Sequence, residues 1–178
     1  MNRSIKGVAK VLLVITTFVF WTVSGASDAR AQQMMGALGQ QIQGSWIIVS
    51  DVNEQDGKKT DVYGANPRGS MILTPDGRFS IIIMRASLPQ FASNNRMKGT
   101  AELNQAIVQG SLAFFGTYRV ESEKEKTVML TIEGSTFPNY DGQVQKRIMI
   151  VNGNELMYIN PTTTVGGGTS YVSWKRAK

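Results

Sequence analysis

Neither histidine nor cysteine occurs among the 178 residues of this chain, so any chemistry it performs falls to arginine, tyrosine and carboxylate side chains. Without histidine there is no Ser-His-Asp or Cys-His nucleophilic system, no His-ligated metal and no usual proton shuttle near neutrality. Without cysteine there are no thiolate sites, no disulfides and no lipid-acylated cysteine. What remains is recognition. A guanidinium pairs with an anionic head group through a planar fork of donors, and a tyrosine offers an apolar wall with a polar tip. Acid–base work would fall to a carboxylate such as Glu133 or Asp141, or to Tyr118. No pair of acids stands at a glycosidase-like spacing and no calcium-loop pattern is present, so neither a metal nor a cofactor is expected.

The arginines stand in informative surroundings. Over residues 78–85 the alternation puts Phe79, Ile81, Ile83 and Arg85 on one face. If that face is an interior, Arg85 points inward near an open end and can meet a ligand head group. Phe91 and Arg96 follow in the interrupted segment 86–99, and the competing reading makes Arg85 and Arg96 ion-pairing residues of an outer rim. Arg147 with Tyr118 is a second candidate pair, against the alternative of a plain cross-strand contact. The loop 137–142 carries aromatics that would close a mouth, although Pro138, Asn139 and Asp141-Gly142 also suit an ordinary turn. Gly166-Gly167-Gly168 precedes a strand and lacks a following lysine, so it reads as a flexible rim loop, not a phosphate loop. The charged run 121–126 reads as a solvated hairpin tip.

The elements that must position these residues are strands. Runs with strand character cover 45–51, 69–74, 78–85, 112–120, 127–133, 144–151, 155–159 and 169–175, about eight in all. Pro75-Asp76-Gly77 and Asn152-Gly153-Asn154 are hairpin signals, and 53–67 reads as a polar loop. One helix is expected over 100–109, capped by Thr100, with Leu103, Ala106 and Ile107 on one face and Gly110 after it. It would serve as a lid or simply cover core. No helices alternate with the strands, which disfavours a parallel βαβ sheet. The expected fold is all-β, an antiparallel barrel of about eight strands with one short helical insertion; a two-sheet sandwich is the alternative.

Ahead of the strands, Arg3, Lys6 and Lys10 precede a 13-residue apolar run over 11–23, then Ala29-Arg30-Ala31 offers a cleavage site, with Ala26 as a competitor. A spanning helix needs about 20 apolar residues. Residues 1–31 therefore read as a signal peptide, and the mature protein as periplasmic or secreted with no membrane span left. The leader holds Arg3, Lys6, Lys10, Arg30 and Asp28, so the mature chain keeps 15 of 19 basic and 12 of 13 acidic residues, net +3 instead of +6. With no arginine-rich stripe remaining, nucleic acid is not an expected partner. Residues 32–41 read as a flexible arm and 42–178 as one domain.

An ordered set of short matches runs through this domain. They are Gly44-x-Trp46, Leu73-Thr74-Pro75-Asp76-Gly77, Met84-Arg85, Pro89-x-Phe91-Ala92-Ser93-x2-Arg96 and Gly116-x-Tyr118. Phe137-Pro138-Asn139, Gln145-x-Arg147, Gly166-Gly167-Gly168-Thr169 and Trp174 complete the series. In this the chain resembles the lipocalin-like domain family of bacteria and fungi. The resemblance implies a small β-barrel with a cavity and no particular reaction. It also implies closure of the barrel base by Trp46 under Arg176, with Trp174 as an alternative partner for Trp46.

Three functions follow as expectations. The first is binding of a small, largely apolar molecule, hydrophobic or amphipathic and anionic if Arg85 or Arg147 holds its head. The cavity would be lined by residues such as Met71, Leu73, Phe79, Ile81, Ile83, Phe115 and Tyr118. The second is a cavity enzyme of the isomerase or cyclase type, for which Glu133 or Asp141 should lie buried beside Arg147 and Tyr118. The third is an envelope structural or interaction protein, marked by an apolar outer patch without a cavity.

Overall fold

Strand β1 (Gly44–Gln55) decides the architecture, because it is hydrogen-bonded on both edges to strands far apart in the chain. The structure, a computed structural model, describes residues 36–178; the expected signal peptide and residues 32–35 of the arm lie outside the described residues. After β1 come β2 (Lys58–Asp61), β3 (Arg68–Leu73), β4 (Arg78–Met84), β5 (Ser111–Ser122), β6 (Thr127–Ser135), β7 (Val144–Asn152), β8 (Glu155–Asn160) and β9 (Thr169–Arg176). From β3 to β9 each strand pairs antiparallel with the next, β3 pairs with β1, and β9 returns to β1 from Trp46↔Arg176 to Glu54↔Thr169. Eight strands close on themselves, so this is a barrel and not a sandwich. The ninth, β2, was expected as loop. It is a short exposed extension that takes over the edge of β1 at Val52–Gln55, after β3 has left it at Ile47.

Alternation fills the lower half of this barrel. On β4, Phe79, Ile81 and Ile83 point inward and are buried, while Ile82 is on the outside. Met71, Leu73, Ile81, Leu130, Met149 and Leu156 are at most 1% exposed and pack as a continuous core. They are solid wall and filling, not the lining of a cavity as expected of Met71, Leu73 and Ile81. Phe115 faces outward, half exposed, so its expected place in the lining is also corrected.

The base is sealed by helix α1 (Ala37–Ile42), in the segment expected to be a flexible arm. Leu38 and Ile42, one helical turn apart, are fully buried against the barrel core. Burying two such side chains contributes about 1.5–3 kcal/mol each, which is what holds this short segment in place. Glu123, on the hairpin tip expected to be merely solvated, accepts from Leu38 N at 2.9 Å and so satisfies a free amide in the first turn. At the other end of α1, Trp46 Nε1 donates to Ile42 O at 2.8 Å. The Arg176 guanidinium covers the Trp46 ring, as the family resemblance implied; Trp174 packs instead against Tyr158, ring centres 5.9 Å apart.

The opposite end stays open. Helix α2 (Ala101–Gly110) begins where expected, with Thr100 Oγ1 accepting from Leu103 N at 3.3 Å, and it flanks the mouth. Ile107 and Val108 of α2 face the opening.

Candidate functional site

A bulge in β1 creates the site. The register against β9 shifts between Ile48 and Ser50, so the alternation changes phase there. Below the bulge Trp46 and Ile48 face inward; above it Asp51 and Asn53 do. Cross-strand pairing then lays a row of inward residues, Asp51–Val172–Tyr158–Met149. One step nearer the mouth, Asn53 pairs with Ser170 and Ser170 with Asn160. Arg147 lies two residues before Met149 on the same face of β7. Tyr63, from the loop after β2, and Tyr140, from the 3-10 turn Pro138–Tyr140, fold in from other sides.

These side chains enclose a polar chamber of about 50 Å³ beneath a wider, open cavity of about 1060 Å³. Val62, Tyr63, Leu112, Thr164 and Val165 belong to the walls of both, so the chamber is the floor of the cavity. At the mouth Asn53 Nδ2 and Thr163 Oγ1 both donate to Gly167 O at 2.9 Å, and Tyr140 shares a 2.9 Å hydroxyl contact with Thr164. The expected rim loop over 166–168 is thus tied to the chamber wall. Edge-to-face stacking runs from Phe79 through Phe114 and Tyr140 to Phe137, with ring centres 5.3–5.8 Å apart, and stiffens this side.

Arg147 is 2% exposed. Its Nη1 donates to Lys146 O at 2.8 Å, its Nη2 to Gln145 Oε1 at 2.6 Å, and its Cζ sits 5.5 Å from the Tyr158 ring centre. Its Nε has no partner, and neither has Asn53 Oδ1 above it. Leaving such buried groups unsatisfied costs about 1–3 kcal/mol each. Asp51 accepts a short hydrogen bond from Ser170 Oγ, and burial pushes its carboxyl up to about 6 against the opposing pull of Ser170 and Arg147. Asp51 and Arg147 make no direct ion pair. Burial also lowers Arg147 from its ordinary value and raises the Tyr63 and Tyr158 hydroxyls, which stay neutral at any physiological pH. The floor therefore offers one cationic donor and one titratable acceptor at the bottom of a cavity of mixed lining, where Val62, Ile107, Val108 and Leu112 stand beside Asp56, Lys58, Asp61 and Arg85.

The sequence pattern of the lipocalin-like domain family matches residues 43–177, the whole barrel from the first residue before β1 to the end of β9. The chain belongs to the lipocalin-like domain family. A protein of Aspergillus oryzae named 4'-hydroxy-3'-methoxypropiophenone carrier protein ppsC is 26% identical over 102 residues, which cover 53% of this chain and 92% of that relative.

Within this lipocalin-like domain the expected site residues are dispersed. Arg147 and Ile83 line the floor chamber, and Arg85 lines the outer cavity as an exposed residue. Phe79 and Ile81 belong to the packed core. Phe91 is half-buried in the 86–99 loop, close to Gly99, and Arg96 is exposed there; neither reaches the cavity. Tyr118 is not the partner of Arg147: its hydroxyl donates to Thr74 O at 2.9 Å, fastening the β3–β4 turn. Glu133 pairs with Arg78 on the surface at 2.8 Å, and Asp141 is exposed, so neither carboxylate stands beside Arg147. The carboxylate that does is Asp51. With it, Tyr63, Tyr158, Asn160 and Ser170 are the residues that sequence reasoning missed, while Tyr140, from the loop whose aromatics were expected at the mouth, lines the floor chamber. Among the described residues no acidic cluster able to hold a metal ion is present, and no helix is long and apolar enough to cross a membrane.

Proposed function

We propose that this protein is an exported, non-catalytic binder of a small, largely apolar molecule that carries one polar head group. The observation that supports it most is the open cavity of about 1060 Å³ ending on the buried Arg147 chamber. The apolar residues of its wall, Val62, Ile107, Val108, Leu112, Phe137 and Val165, can seat an apolar body, which the polar groups at the floor orient. A carrier role for the Aspergillus oryzae relative, named for an aryl ketone, points the same way. An interaction protein without a ligand has less support, because a cavity accompanies the apolar outer residues Ile47, Ile72 and Ile82.

The test is native mass spectrometry of protein purified from its own host, followed by titration with the neutral fluorescent probe N-phenylnaphthylamine. A co-purified small molecule, or saturable probe binding that it displaces, supports the reading. Protein that repeatedly carries nothing and leaves the probe dark overturns it. The same spectra check export: the mature mass should correspond to a chain starting at Gln32, and an intact Met1 chain in the purified material would count against cleavage.

Asp51 favours a second reading. A carboxyl held near 6 beside a cation and neutral tyrosines has the makings of a general acid–base group, as a cavity isomerase or cyclase requires. Recovery of the bound molecule chemically unchanged after prolonged incubation with the protein separates binder from enzyme.

A further inference from the structure

The floor chamber is small and already contains both signs of charge. We propose that it is a seat for a neutral oxygen head group, a ketone carbonyl or an alcohol, and discriminates against a carboxylate at neutral pH. The inference rests on the binding function proposed above and names the head-group chemistry of that same site.

Size sets the first limit. A chamber of about 50 Å³ takes a group of three or four heavy atoms, such as an acetyl or a carboxyl, while a ring must remain in the wider cavity above. Donor geometry sets the second. Arg147 is held by Lys146 O and Gln145, is almost fully buried, and keeps Nε unpartnered in the wall of this chamber. An oxygen entering the chamber finds a fixed cationic donor.

Charge sets the third. Asp51, on β1, lines the same chamber and is held by Ser170. Around Asp51 the chamber is lined by Arg147 on β7, Tyr158 on β8, Ser170 on β9, Tyr63 from the loop after β2 and Tyr140 from the 3-10 turn. Tyr63 and Tyr158 are shifted upward and uncharged, so Arg147 is the one cation and Asp51 the one anion in this set. When Asp51 is ionised the chamber is neutral overall, and a second carboxylate would share one guanidinium with it in a site of low dielectric. A ketone or alcohol oxygen accepts from Arg147 without that repulsion. When Asp51 takes up a proton, near pH 6 and below, the cation is left uncompensated and a carboxylate becomes acceptable.

The experiment compares two molecules of the same shape, benzylacetone and hydrocinnamate, which differ in a methyl ketone against a carboxylate. Calorimetric titrations of the intact protein at pH 7.5 and 5.0 read their affinities, with N-phenylnaphthylamine displacement in parallel. At pH 7.5 the ketone should bind at least about ten-fold more tightly than the acid. Lowering the pH to 5.0 should narrow the gap by strengthening the acid. Asp51→Asn, which keeps the shape and the hydrogen bond to Ser170, should abolish the preference at pH 7.5 by improving hydrocinnamate binding. Equal or tighter binding of hydrocinnamate to the unmodified protein at pH 7.5 overturns the inference. So does failure of both molecules to displace a probe that binds. If the probe itself does not bind, the cavity reading fails first and takes this inference with it.

Discussion

The guanidinium carbon of Arg176 lies 4.1 Å from the centre of the Trp46 ring, joining the last strand to the first across the sealed base. The same guanidinium donates to Gln43 O at 2.9 Å and Gln41 O at 3.0 Å, so it also satisfies carbonyls at the end of α1. One side chain therefore ties together both chain termini of the barrel and the helix that plugs it. None of these contacts reaches the cavity.

Arg176→Met should lower stability by about 2–3 kcal/mol, the sum of a cation–π contact and hydrogen bonds to a partly exposed charge. Urea denaturation followed by tryptophan fluorescence measures it. Arg176→Lys should recover only part, because an ammonium lacks the planar fork that reaches both carbonyls while stacking. A loss smaller than about 0.5 kcal/mol for the methionine variant would show that the base closes without this contact.

Gly44 completes the same unit. Its φ is +109°, a conformation that a side chain strains, and a Cβ there would stand 3.0 Å from Arg176 Nη1. Gly44→Ala should cost about 1–3 kcal/mol from the backbone alone. Combining it with Arg176→Met separates the two causes. If the methyl also displaces the guanidinium, the double variant is less damaged than the two single losses added together; strict additivity would confine the effect to the backbone.

Most of the barrel was legible in the sequence because its strands follow simple alternation and its turns carry strong local chemistry. The floor of the cavity was not. Alternation counted from Trp46 and Ile48 sends Ser50 and Val52 inward and Asp51 outward; the bulge at Ile48/Ser50 reverses that and delivers Asp51 and Asn53 to the interior. Lys58–Asp61 has no apolar residue to show its pairing, although the Asp56-Gly57 turn before it has both φ values positive, as a tight hairpin requires. Tyr63 and Tyr140 come from segments read as loops, and only tertiary packing brings them together. Arg147 was read as a pair with Tyr118; Arg147 does reach the chamber, whereas Tyr118 fastens a turn.

The plug helix should be worth more than its six residues suggest. Leu38 is fully buried among core residues of the lower barrel, so Leu38→Ala leaves a cavity that a closed sheet cannot easily collapse. The expected loss is about 2–5 kcal/mol in equilibrium denaturation. Because α1 sits at the end opposite the mouth, affinity for N-phenylnaphthylamine under folding conditions should stay within about two-fold of the unmodified protein. A change in stability below about 1 kcal/mol would mean that the segment behaves as the flexible arm its composition suggests.

Asp51 gives the pH dependence a definite sign. The folded protein holds its proton up to about pH 6, while an unfolded chain releases it near the ordinary value of 3.8. Between those values the folded state binds more protons than the unfolded one, so this group's contribution to stability falls as pH rises through the window and is lowest above it. The full effect of moving from 3.8 to about 6 is about 3 kcal/mol. Other carboxylates titrate in the same range, so the informative quantity is the difference between the unmodified protein and Asp51→Asn, which cannot ionise. Denaturation midpoints collected from pH 4 to pH 8 should show the unmodified protein losing ground to the variant as pH rises, with most of the change complete by about pH 7. A difference that is flat across this range, or that runs the other way, would mean that Asp51 ionises in the folded protein as it does in water, and that the chamber floor is wetter and better compensated by Arg147 than its burial implies.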